Sequence, residues 1–568
     1  MSLRIVIVGG VAGGASAAAR ARRLSEAASI TIFEKGPHVS FANCGIPYVL
    51  GGVIADKSKL LLQTPESMKA RYNLDVRTNT EVTRIDREHK RVHYHSAPAS
   101  PASLVGVDAD RSLPYDKLIL ALGAEAVRPP MEGADAPHVY TLQTIPDLQR
   151  VNAAMDTGQV HHAVIIGGGF IGLEAAENIR LRGVHTTIVE MTPQVFAPVD
   201  EDIAAEVHAE LRKQGVELLL STRVQRIIPP KGDDRGGVEL AGGERLPADI
   251  VLMAVGVRPR TALAHDAGLR IGSSGGIVVN GFMQTNDPDI YAVGDMVESK
   301  HTVSHSPVNI ALAGPANRHG RLAADHIFGK GAAYRGTIGT SVCQVFDLTV
   351  GNTGMTTREL SRLKRPFRWV TVHPPHHAGY YPGGKSMTLK LIFDPDDGRI
   401  LGAQAVGRAG IDKRIDVLST AIQARMTVDD LETLELAYAP PYGAAKDPIN
   451  MAGFVAGDLM RGEVEILHST ELKGALESQP EIQLVDVRNP GEFTAGHLQG
   501  ATNIPLNGLR GRMEELPKDR PVVVYCQVGF RGYLAARILQ QNGYTVQNLD
   551  GGYLSAAAAA PALLASVA

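Results

Sequence analysis

The sequence has few cysteines, a single tryptophan and no long apolar run, and these scarcities remove whole classes of protein. Its 568 residues include three cysteines, too few and too far apart for a disulfide framework or a zinc site. No apolar stretch is long enough to span a bilayer, and the chain opens in a predicted strand without a leader pattern. A formal net charge of -3 does not favour a nucleic-acid or anionic-membrane partner. We therefore expect a cytoplasmic protein without a metal site.

Glycine and chain length are what the sequence has in quantity. Sixty glycines, with 44% hydrophobic and 21% charged residues, are typical of an α/β protein with many tight turns. The chain is longer than the roughly 250–300 residues at which a single hydrophobic core stops growing. We therefore expect about three or four domains.

A predicted strand, a glycine-rich turn and a predicted helix open the chain. After the helix, a second strand ends at Glu34, twenty residues beyond Gly14. In a dinucleotide-binding fold, glycines let the amides of a helix N-terminus approach a pyrophosphate, and the acid binds ribose hydroxyls. Val11 stands where the strict pattern has its middle glycine. The turn consists of Gly9, Gly10, Val11, Ala12, Gly13 and Gly14.

A second unit of the same kind follows the strict spacing. Its strand ends before Gly167, its glycines are spaced G-x-G-x-x-G, and its second strand ends at Glu190. A carboxylate at that place favours NADH, because it would repel the 2′-phosphate of NADPH. Two such units, each with its own acid, predict two dinucleotide-binding folds. The predicted NADH contacts are Gly167, Gly169, Phe170, Ile171, Gly172, Glu190 and Gly256.

Two shorter segments resemble the accessory FAD motifs of the flavoprotein disulfide reductases. They are residues 115–124, YDKLILALGA, and residues 290–295, IYAVGD. By that resemblance Asp295 would hydrogen-bond the ribityl chain of FAD, and residues 246–259 would close the NADH domain. The resemblance therefore implies an FAD domain that is interrupted by an NADH domain. The FAD contacts implied are Gly9, Gly10, Val11, Ala12, Gly13, Gly14, Glu34, Lys35, Gly123 and Asp295.

Cys44 lies shortly after Glu34, where the reactive ring of a bound dinucleotide is expected. Spacing alone leaves two interpretations open, a redox centre and a buried apolar thiol. The next cysteine is Cys343, which sits in an apolar strand and is interpreted as core packing, so Cys44 has no mate for an internal disulfide. A lone redox cysteine cycles as a sulfenic acid or as a mixed disulfide with an external thiol or persulfide.

Residues 40–48, SFANCGIPY, closely resemble the coenzyme A disulfide reductase family. NADH oxidases and peroxidases of the same single-cysteine branch are the sulfenic alternative. Arg20 and Arg23 share one face of the first helix, where they form either a solvated basic face or a phosphate clamp for coenzyme A. In the family, tyrosines from the partner subunit reach the active site. The coenzyme A positions implied are Ser16, Arg20, Arg23, Ser40, Asn43, Arg71, Tyr381 and Tyr442.

Cys526 follows an apolar strand and precedes a predicted helix. The loop between them would direct successive backbone amides at the sulfur, forming a cradle for a thiolate or a persulfide anion. The spacing from Cys526 to Arg531 is one residue shorter than in tyrosine phosphatases, and it resembles rhodanese, a sulfurtransferase. The segments 486–488 and 496–497 also match that family. The loop residues are Gln527, Val528, Gly529, Phe530 and Arg531.

The predicted fold class is α/β, with two Rossmann-like dinucleotide-binding domains, an α+β dimerisation domain and a C-terminal α/β rhodanese domain. The alanine-rich end has no polar face and is predicted to be a frayed tail. The predicted boundaries are 1–150 for the first part of the FAD domain, 151–280 for the NAD(H) domain, 281–333 for the second part of the FAD domain, 334–450 for the dimerisation domain, 451–465 for a linker, 466–556 for the rhodanese domain and 557–568 for the tail.

The resemblance implies a homodimeric enzyme with FAD, NADH and coenzyme A as its cofactors. It would reduce coenzyme A disulfide, coenzyme A persulfide or polysulfide at Cys44, while Cys526 delivers sulfane sulfur. One alternative is an NADH oxidase or peroxidase, which leaves Cys526 and the arginine pair unexplained. Another is a redox-sensing NADH-binding module, which needs neither thiol.

Overall fold

The computed structural model describes residues 2–96, 111–232 and 234–565. Two compact units make up the chain. The first comprises Met1–Pro193 and Gly215–Gly339, and the second comprises Gln194–Gln214 and Thr340–Ala568. Within the described ranges, no helix is long and apolar enough to cross a membrane.

A five-stranded parallel sheet forms the first dinucleotide fold of unit one. Its central strand Arg4–Val8 is buried from Ile5 onward, as expected of a parallel strand that helices cover on both faces. The helix Ala12–Leu24 packs against Ala313–Ile327, where Gly13 and Gly320 permit a close crossing. Across the sheet the strands are Ile290–Ala292, Lys117–Leu120, Arg4–Val8, Ser29–Phe33 and Asp75–Arg77.

A second five-stranded parallel sheet carries the other dinucleotide fold of unit one. The helix Phe170–Leu181 follows its central strand and buries Leu173, Ala175, Ala176 and Ile179. Across this sheet the strands are Val216–Leu219, His185–Val189, His162–Ile166, Ile250–Met253 and Val139–Tyr140. The other helices of unit one are Ile46–Leu50, Pro65–Tyr72, Ile145–Met155 and Ala262–Asp266.

Smaller sheets complete unit one. Two of them have three antiparallel strands, and a third pairs Ala124–Ala126 with Val257–Pro259. The three-stranded antiparallel sheets consist of Thr80–Asp86, Arg91–Ser96 and Arg111–Pro114, and of Val224–Ile228, Gly237–Leu240 and Arg245–Pro247. A mixed sheet contains Ile277–Val278, Val297–Lys300 and Pro307–Val308.

Unit two contains a five-stranded antiparallel sheet covered by helices. Cys343 is buried in its first strand, so the prediction that this cysteine packs in a core is confirmed. Across the sheet the strands are Ser341–Val345, Leu348–Gly354, Ile400–Gly407, Met387–Phe393 and Arg368–Val372. The helices of this region are Glu201–Lys213, Thr357–Arg362, Ile411–Ala424, Val428–Thr433 and Pro448–Met460.

A smaller parallel sheet forms the C-terminal part of unit two. Its central strand Val522–Tyr525 is fully buried and ends directly before Cys526. The order of the strands is Ile466–Leu467, Val546–Leu549, Val522–Tyr525, Gln483–Asp486 and Thr502–Asn503. The helices are Leu472–Ser478, Pro490–Thr494, Leu506–Arg512, Phe530–Gln541 and Gly552–Ala559.

The predicted linker 451–465 is wrong over most of its length. Residues 448–460 form a helix that buries Ile449, Ala452, Ala456 and Leu459 at helical spacing. Asp447 caps this helix, and its side chain accepts a hydrogen bond from the amide of Ile449. The sequence prediction mistook a glycine-containing packed helix for a connection; the absence of a side chain at Gly453 allows the backbone of Glu432 to approach closely.

The predicted frayed tail is also wrong where the structure describes it. Gly552–Ala559 is a helix with Ala556 fully buried, and Leu564 forms a β-bridge with Leu498. The amide of Ala565 donates to the carbonyl of His497 at 2.9 Å. Small alanine side chains here allow close packing, so the stretch needs no polar face. Residues 566–568 of the predicted tail lie outside the described residues.

Candidate active site

The two glycine turns of unit one share one geometry. Gly9 and Gly167 have φ values of 103° and 105°, which favour glycine. A Cβ at Gly14 would lie 1.9 Å from the carbonyl oxygen of Gly9, and one at Gly172 would lie 2.1 Å from that of Gly167. Each turn therefore requires its first and last glycine to bring the helix onto the strand.

Val11 and Gly169 occupy the same place in the two turns. Each is the N-cap of the following helix, so the departure of Val11 from the glycine pattern leaves the backbone arrangement intact. A Cβ at Gly169 would meet no protein atom within 4 Å, which leaves room for a ligand at the helix N-terminus.

The acid predicted in each fold lies beside its glycine turn. Glu34 accepts hydrogen bonds from the amides of Gly10 and Gly36, both at 2.8 Å. Glu190 accepts from the amide of Gly168 at 2.7 Å and from the amide of Thr192 at 2.8 Å. These bonds hold each carboxylate at the end of its strand, where a ribose is bound in this kind of fold.

The remaining predicted cofactor contacts fit the same groups. Gly123 and Gly256 have positive φ, and a Cβ at either would meet no protein atom within 4 Å. Burial raises the pKa of the Asp295 carboxyl, which is half-buried after the strand Ile290–Ala292. Lys35, by contrast, points to the surface and pairs with Glu81 at 2.7 Å. The open glycines and the recessed carboxyl fit an FAD and a nicotinamide dinucleotide.

Cys44 lies in a single 3-10 turn, Asn43–Gly45, directly before the helix Ile46–Leu50. It is exposed, so the alternative of a buried apolar thiol is wrong. Its thiol donates a weak hydrogen bond to Asn43 Oδ1 at 3.8 Å. Although the side chain is exposed, enough protein surrounds it that desolvation raises its pKa, and the charge of Glu174 raises it further. The surrounding residues of unit one thus favour the protonated thiol.

Glu174 is a site residue that sequence reasoning missed. It lies on the helix Phe170–Leu181, and Tyr48 Oη donates to its Oε1 at 3.4 Å. Burial raises the pKa of Glu174 to about 7, and the nearby Glu177 adds to this shift while the bond from Tyr48 opposes it. The available signal was its position two residues after Gly172, at the start of a helix whose N-terminus faces a ligand. The carboxyl changes charge near neutral pH within electrostatic reach of Cys44.

The predicted coenzyme A residues of unit one differ in the contacts that they make. Ser40 donates its amide to the carbonyl of Gly10 at 2.8 Å, and Asn43 is exposed beside Cys44. Ser16 Oγ donates to Asn317 Oδ1 at 2.5 Å. Arg20 Nε binds Asp325 at 2.6 Å. Arg23 and Arg71 are both exposed.

The predicted tyrosines belong to unit two. Tyr381 and Tyr442 are exposed, with 41% and 74% of their surface accessible. Tyr381 packs edge-on against His377, and the neighbouring Tyr380 shares a hydrogen bond with Tyr438 at 2.9 Å between their hydroxyl groups. Their contribution to a coenzyme A site stays a prediction.

Cys526 is buried at the end of the strand Val522–Tyr525. The amide of Gly529 donates to its Sγ at 3.2 Å, and the φ of 101° at Gly529 aims that amide inward. Phe530, which starts the following helix, is 59% exposed beside the loop. The loop therefore supplies part of the anion cradle that its sequence predicted.

Two arginines near this loop are held by carboxylates. Arg531 binds both oxygens of Glu492, at 2.6 and 2.8 Å, and this pairing lowers the pKa of Glu492 to about 2. Arg488 is buried, binds Asp486 and donates to Gln527 Oε1 at 2.9 Å. Sequence reasoning missed Glu492, which lies between the two segments 486–488 and 496–497 that resemble rhodanese. The ion pairs fix the walls of the Cys526 loop.

Comparison with known families agrees with this geometry. The pyridine nucleotide-disulphide oxidoreductase family matches residues 3–320. The chain belongs to that family. The family's dimerisation domain matches residues 340–447, and the rhodanese-like domain matches residues 468–559. This oxidoreductase therefore has the predicted fold class and family, and membership implies FAD and a nicotinamide cofactor.

Some relatives of this oxidoreductase match most of the chain, and two solved structures match nearly all of it. The coenzyme A disulfide reductase of Staphylococcus haemolyticus is 33% identical over 457 residues, which cover 80% of this chain and 100% of the relative. The crystal structure of reduced Bacillus anthracis CoADR-RHD has a TM-score of 0.95 and 45% identity, and covers 100% of both chains. The NAD-dependent persulfide reductase from A. fulgidus has a TM-score of 0.90 and 37% identity, with 97% of this chain and 100% of that chain covered.

Replacing Glu174 with glutamine is expected to make Cys44 more reactive above about pH 7. Ionised Glu174 raises the Cys44 pKa, so its removal lowers that pKa and increases the thiolate fraction. Alkylation of Cys44 by iodoacetamide, followed by mass spectrometry across pH, measures this. Tyr48→Phe should shift the Glu174-linked step to higher pH, because the lost hydrogen bond favours ionisation.

The matched control is Glu66→Gln, which removes an exposed carboxyl from the first turn of the helix Pro65–Tyr72. Its alkylation profile should equal that of the wild type. Slower or unchanged alkylation of Cys44 in Glu174→Gln would contradict the assigned electrostatic coupling.

Proposed function

We propose that the enzyme uses NADH to reduce coenzyme A persulfide, coenzyme A disulfide or polysulfide at Cys44, with sulfane sulfur supplied by Cys526. The observation that carries this proposal is the pairing of two different thiols in one chain. Cys44 is exposed and lone in a dinucleotide-binding unit, and Cys526 is buried with an amide donated to its sulfur. The similarity to coenzyme A disulfide reductases and to a persulfide reductase supports the substrate class.

The reductive step centres on the sulfur of Cys44. Its thiolate attacks one sulfur of a coenzyme A disulfide; a new S–S bond to Cys44 forms, the substrate S–S bond breaks, and coenzyme A thiolate leaves with the electron pair. With a persulfide, attack on the outer or inner sulfur expels coenzyme A thiolate or hydrosulfide respectively. FAD, when bound, supplies the electron pair from NADH that returns Cys44 to a thiolate. Glu174, with Tyr48 bonded to it, holds a proton near neutral pH beside this exchange.

The sulfur-loading step centres on Cys526. Its thiolate attacks the sulfane sulfur of a donor, so that the donor's S–S bond breaks and Cys526 becomes a persulfide. The amide of Gly529 stabilises the sulfur anion, and the Arg531–Glu492 pair holds the loop in place. Coenzyme A thiolate can then accept the outer sulfur and carry it to Cys44 as coenzyme A persulfide. Direct transfer between the two cysteines is the other route.

Coenzyme A binding is proposed at the polar and basic residues beside Cys44. Asn43 directly precedes Cys44, and the amide of Ser40 donates to the carbonyl of Gly10 in the turn before the first helix. The exposed guanidinium of Arg23 suits a phosphate. The proposed assembly is a cytoplasmic homodimer, which the dimerisation-domain match supports and in which Tyr381 and Tyr442 would act across subunits.

The test is an anaerobic comparison of acceptors with the purified enzyme and NADH. We expect sulfide from coenzyme A persulfide and free thiol from coenzyme A disulfide, at rates far above the consumption of peroxide or oxygen measured separately. Cys526→Ser should keep these activities but lose the use of external donors such as glutathione persulfide. Faster turnover of peroxide or oxygen would replace the reductase proposal with the oxidase alternative. Absence of turnover with every acceptor would favour the redox-sensing module.

Glu190 is proposed to select NADH over NADPH. Its carboxylate accepts a hydrogen bond from Gly168 of the glycine turn, and in dinucleotide-binding folds an acid at this place binds the adenosine ribose and would repel a 2′-phosphate. Glu190→Gln should lower the KM for NADPH about tenfold, roughly 1.4 kcal/mol, while changing the KM for NADH less. Steady-state kinetics with both cofactors measure the change. Glu217→Gln, at the adjacent strand Val216–Leu219, is the control and should leave the ratio of the two KM values unchanged.

A further inference from the structure

One short turn of unit two contacts both the Cys526 loop and the antiparallel sheet. This brace, residues Asp550–Ser555, follows the strand Val546–Leu549 and includes the first residues of the last helix. Gly551 and Gly552 have φ values of 67° and 62°, so the chain bends through two left-handed positions in succession. The bend presents one side of the brace to each neighbour.

On the loop side, backbone groups of the brace hold the residues around Cys526. The amide of Tyr553 donates to the carbonyl of Cys526 at 2.7 Å, and the amide of Leu554 donates to that of Gln527 at 3.1 Å. A Cβ at Gly552 would lie 2.4 Å from the Cys526 carbonyl oxygen and 2.9 Å from the amide nitrogen of Gly529. The same Gly529 amide bonds the cysteine sulfur. A displacement of the brace would therefore move the cradle.

On the sheet side, Asp550 binds the edge strand Arg368–Val372. Its Oδ1 accepts from the amide of Thr371 at 2.9 Å, and its Oδ2 lies 3.1 Å from Nδ1 of His468. The His468 ring stacks on Trp369 with ring centroids 3.5 Å apart. Asp550 and Thr371 are both buried, so removal of the carboxylate would take this hydrogen-bond partner from the amide of Thr371 in a place where water does not replace it.

A second tie joins the brace to the sheet through His373. Its Nε2 lies 2.8 Å from Ser555 Oγ, and its Nδ1 lies 3.0 Å from Thr388 Oγ1. Burial lowers the pKa of His373 to about 4, so the ring is neutral at physiological pH. A neutral imidazole offers one donor and one acceptor, which matches a serine on one side and a threonine on the other.

We propose that Asp550 and His373 are positioning residues for Cys526. Through their bonds the antiparallel sheet holds the brace, and the brace fixes the geometry of the Cys526 loop. The inference rests on the proposed function only in taking Cys526 as the sulfur-carrying thiol. Loss of either tie loosens the loop, which opens access to the buried sulfur and moves the Gly529 amide away from it. Easier access increases chemical modification of Cys526, whereas displacement of the Gly529 amide decreases the rate of catalysis.

The sulfur-transfer step can be followed with thiosulfate and cyanide as probes. Cys526 thiolate attacks the outer sulfur of thiosulfate, the S–S bond of thiosulfate breaks, and sulfite leaves with the electron pair. Cyanide then takes the outer sulfur of the Cys526 persulfide as thiocyanate, which restores the thiolate. No external oxidant or reductant is consumed.

The experiment compares full-length holoenzymes carrying Asp550→Ala, His373→Leu or Ser555→Ala. Iodoacetamide labelling with mass spectrometry reads all three cysteines in one sample. Cys44 is exposed and Cys343 is buried in the antiparallel sheet, so the first reports reagent activity and the second reports global unfolding. Ser478→Ala removes an exposed hydroxyl elsewhere in the rhodanese domain and is the matched control for Ser555→Ala.

We expect Cys526 labelling to rise at least about fivefold in Asp550→Ala and His373→Leu, with Cys343 labelling unchanged, because local opening exposes the loop. The kcat for thiocyanate formation should fall about tenfold with little change in the KM for thiosulfate, since the reacting sulfur is misplaced. Ser555→Ala should show both changes to a smaller degree, and Ser478→Ala neither.

Two results would overturn the proposed role of the brace. Unchanged Cys526 labelling in all three variants shows that the ties do not hold the loop, and equal rises at Cys526 and Cys343 show a structural role only. Failure of the proposed function looks different. In that case the wild type forms no Cys526 persulfide from thiosulfate or glutathione persulfide, while the labelling comparison still decides whether the brace holds the loop.

Discussion

Cys44→Ser is expected to lower NADH-dependent reduction of coenzyme A disulfide and persulfide about a thousandfold or more, because a hydroxyl cannot replace the thiolate nucleophile. Reduction of the flavin by NADH should persist, since the glycine turns and the carboxylates of Glu34 and Glu190 that bond to them are separate from this side chain. Anaerobic stopped-flow spectra of flavin reduction and thiol or sulfide release under steady state measure the two steps separately. The loss should appear in kcat and in kcat/KM alike.

The control for this substitution is Cys343→Ala. Cys343 is buried in the antiparallel sheet and has no assigned chemistry, so its replacement should leave the reductase rate within about twofold of the wild type. Retention of disulfide reduction by Cys44→Ser would contradict the assignment of Cys44 as the nucleophile. Loss of flavin reduction as well would mean that the substitution disturbs the cofactor site.

The pKa of the Cys44 thiol bears on the rate of this reaction. The described residues of unit one raise its pKa, first through desolvation and then through Glu174. The protein surroundings of this unit alone therefore oppose formation of the thiolate that the reaction requires. Glu174, whose own pKa is about 7, can relieve part of that opposition when it is protonated. Disulfide reduction should accordingly lose more of its thiolate-dependent rate in Glu174→Gln than in the wild type as the pH falls from about 8 to about 7, because only in the wild type does protonation of Glu174 lower the Cys44 pKa over that range.

The dinucleotide folds could be predicted from the sequence because their determinants are local. The first and last glycines of each turn meet within six residues; the first has a positive φ, and the close approach of the last to the first leaves few other residues possible. In each fold, one helix and one strand connect the glycine turn to the acid, Glu34 or Glu190. The Cys526 loop was predictable for the same reason, since the strand, the loop and the helix are contiguous.

The residues that sequence reasoning missed act across long separations. Tyr48 and Glu174 are 126 residues apart, and Thr371 and Asp550 are 179 residues apart. Neither pair belongs to one local motif, so only the folded chain shows that they meet. The wrong linker has a different cause. Residues 449–459 carry a helical apolar spacing, but Gly453 and Gly457 weaken helix propensity, and packing against neighbouring elements, chiefly the helix Val428–Thr433, compensates for that.

Gly172→Ala is expected to destabilise the second dinucleotide-binding fold by about 3 kcal/mol, because the added Cβ would lie 2.1 Å from the carbonyl oxygen of Gly167. The conflict is between two backbone segments, so rotation of a side chain cannot relieve it. The helix must move away from the strand, which also displaces the amides that face the pyrophosphate. Thermal unfolding should show a lower midpoint, and NADH should no longer reduce the flavin efficiently, while bound FAD remains visible by absorbance.

Gly169→Ala adds the same methyl group where no protein atom lies within 4 Å. The thermal midpoint should stay within about 1 °C of the wild type, because there is no clash and the φ of -78° suits alanine. The KM for NADH should rise only about three- to tenfold, since Val11 shows that the corresponding turn accepts a larger side chain. Equal destabilisation by the two substitutions would contradict the assignment of Gly172 as a glycine required for packing and of Gly169 as one that leaves room for the ligand.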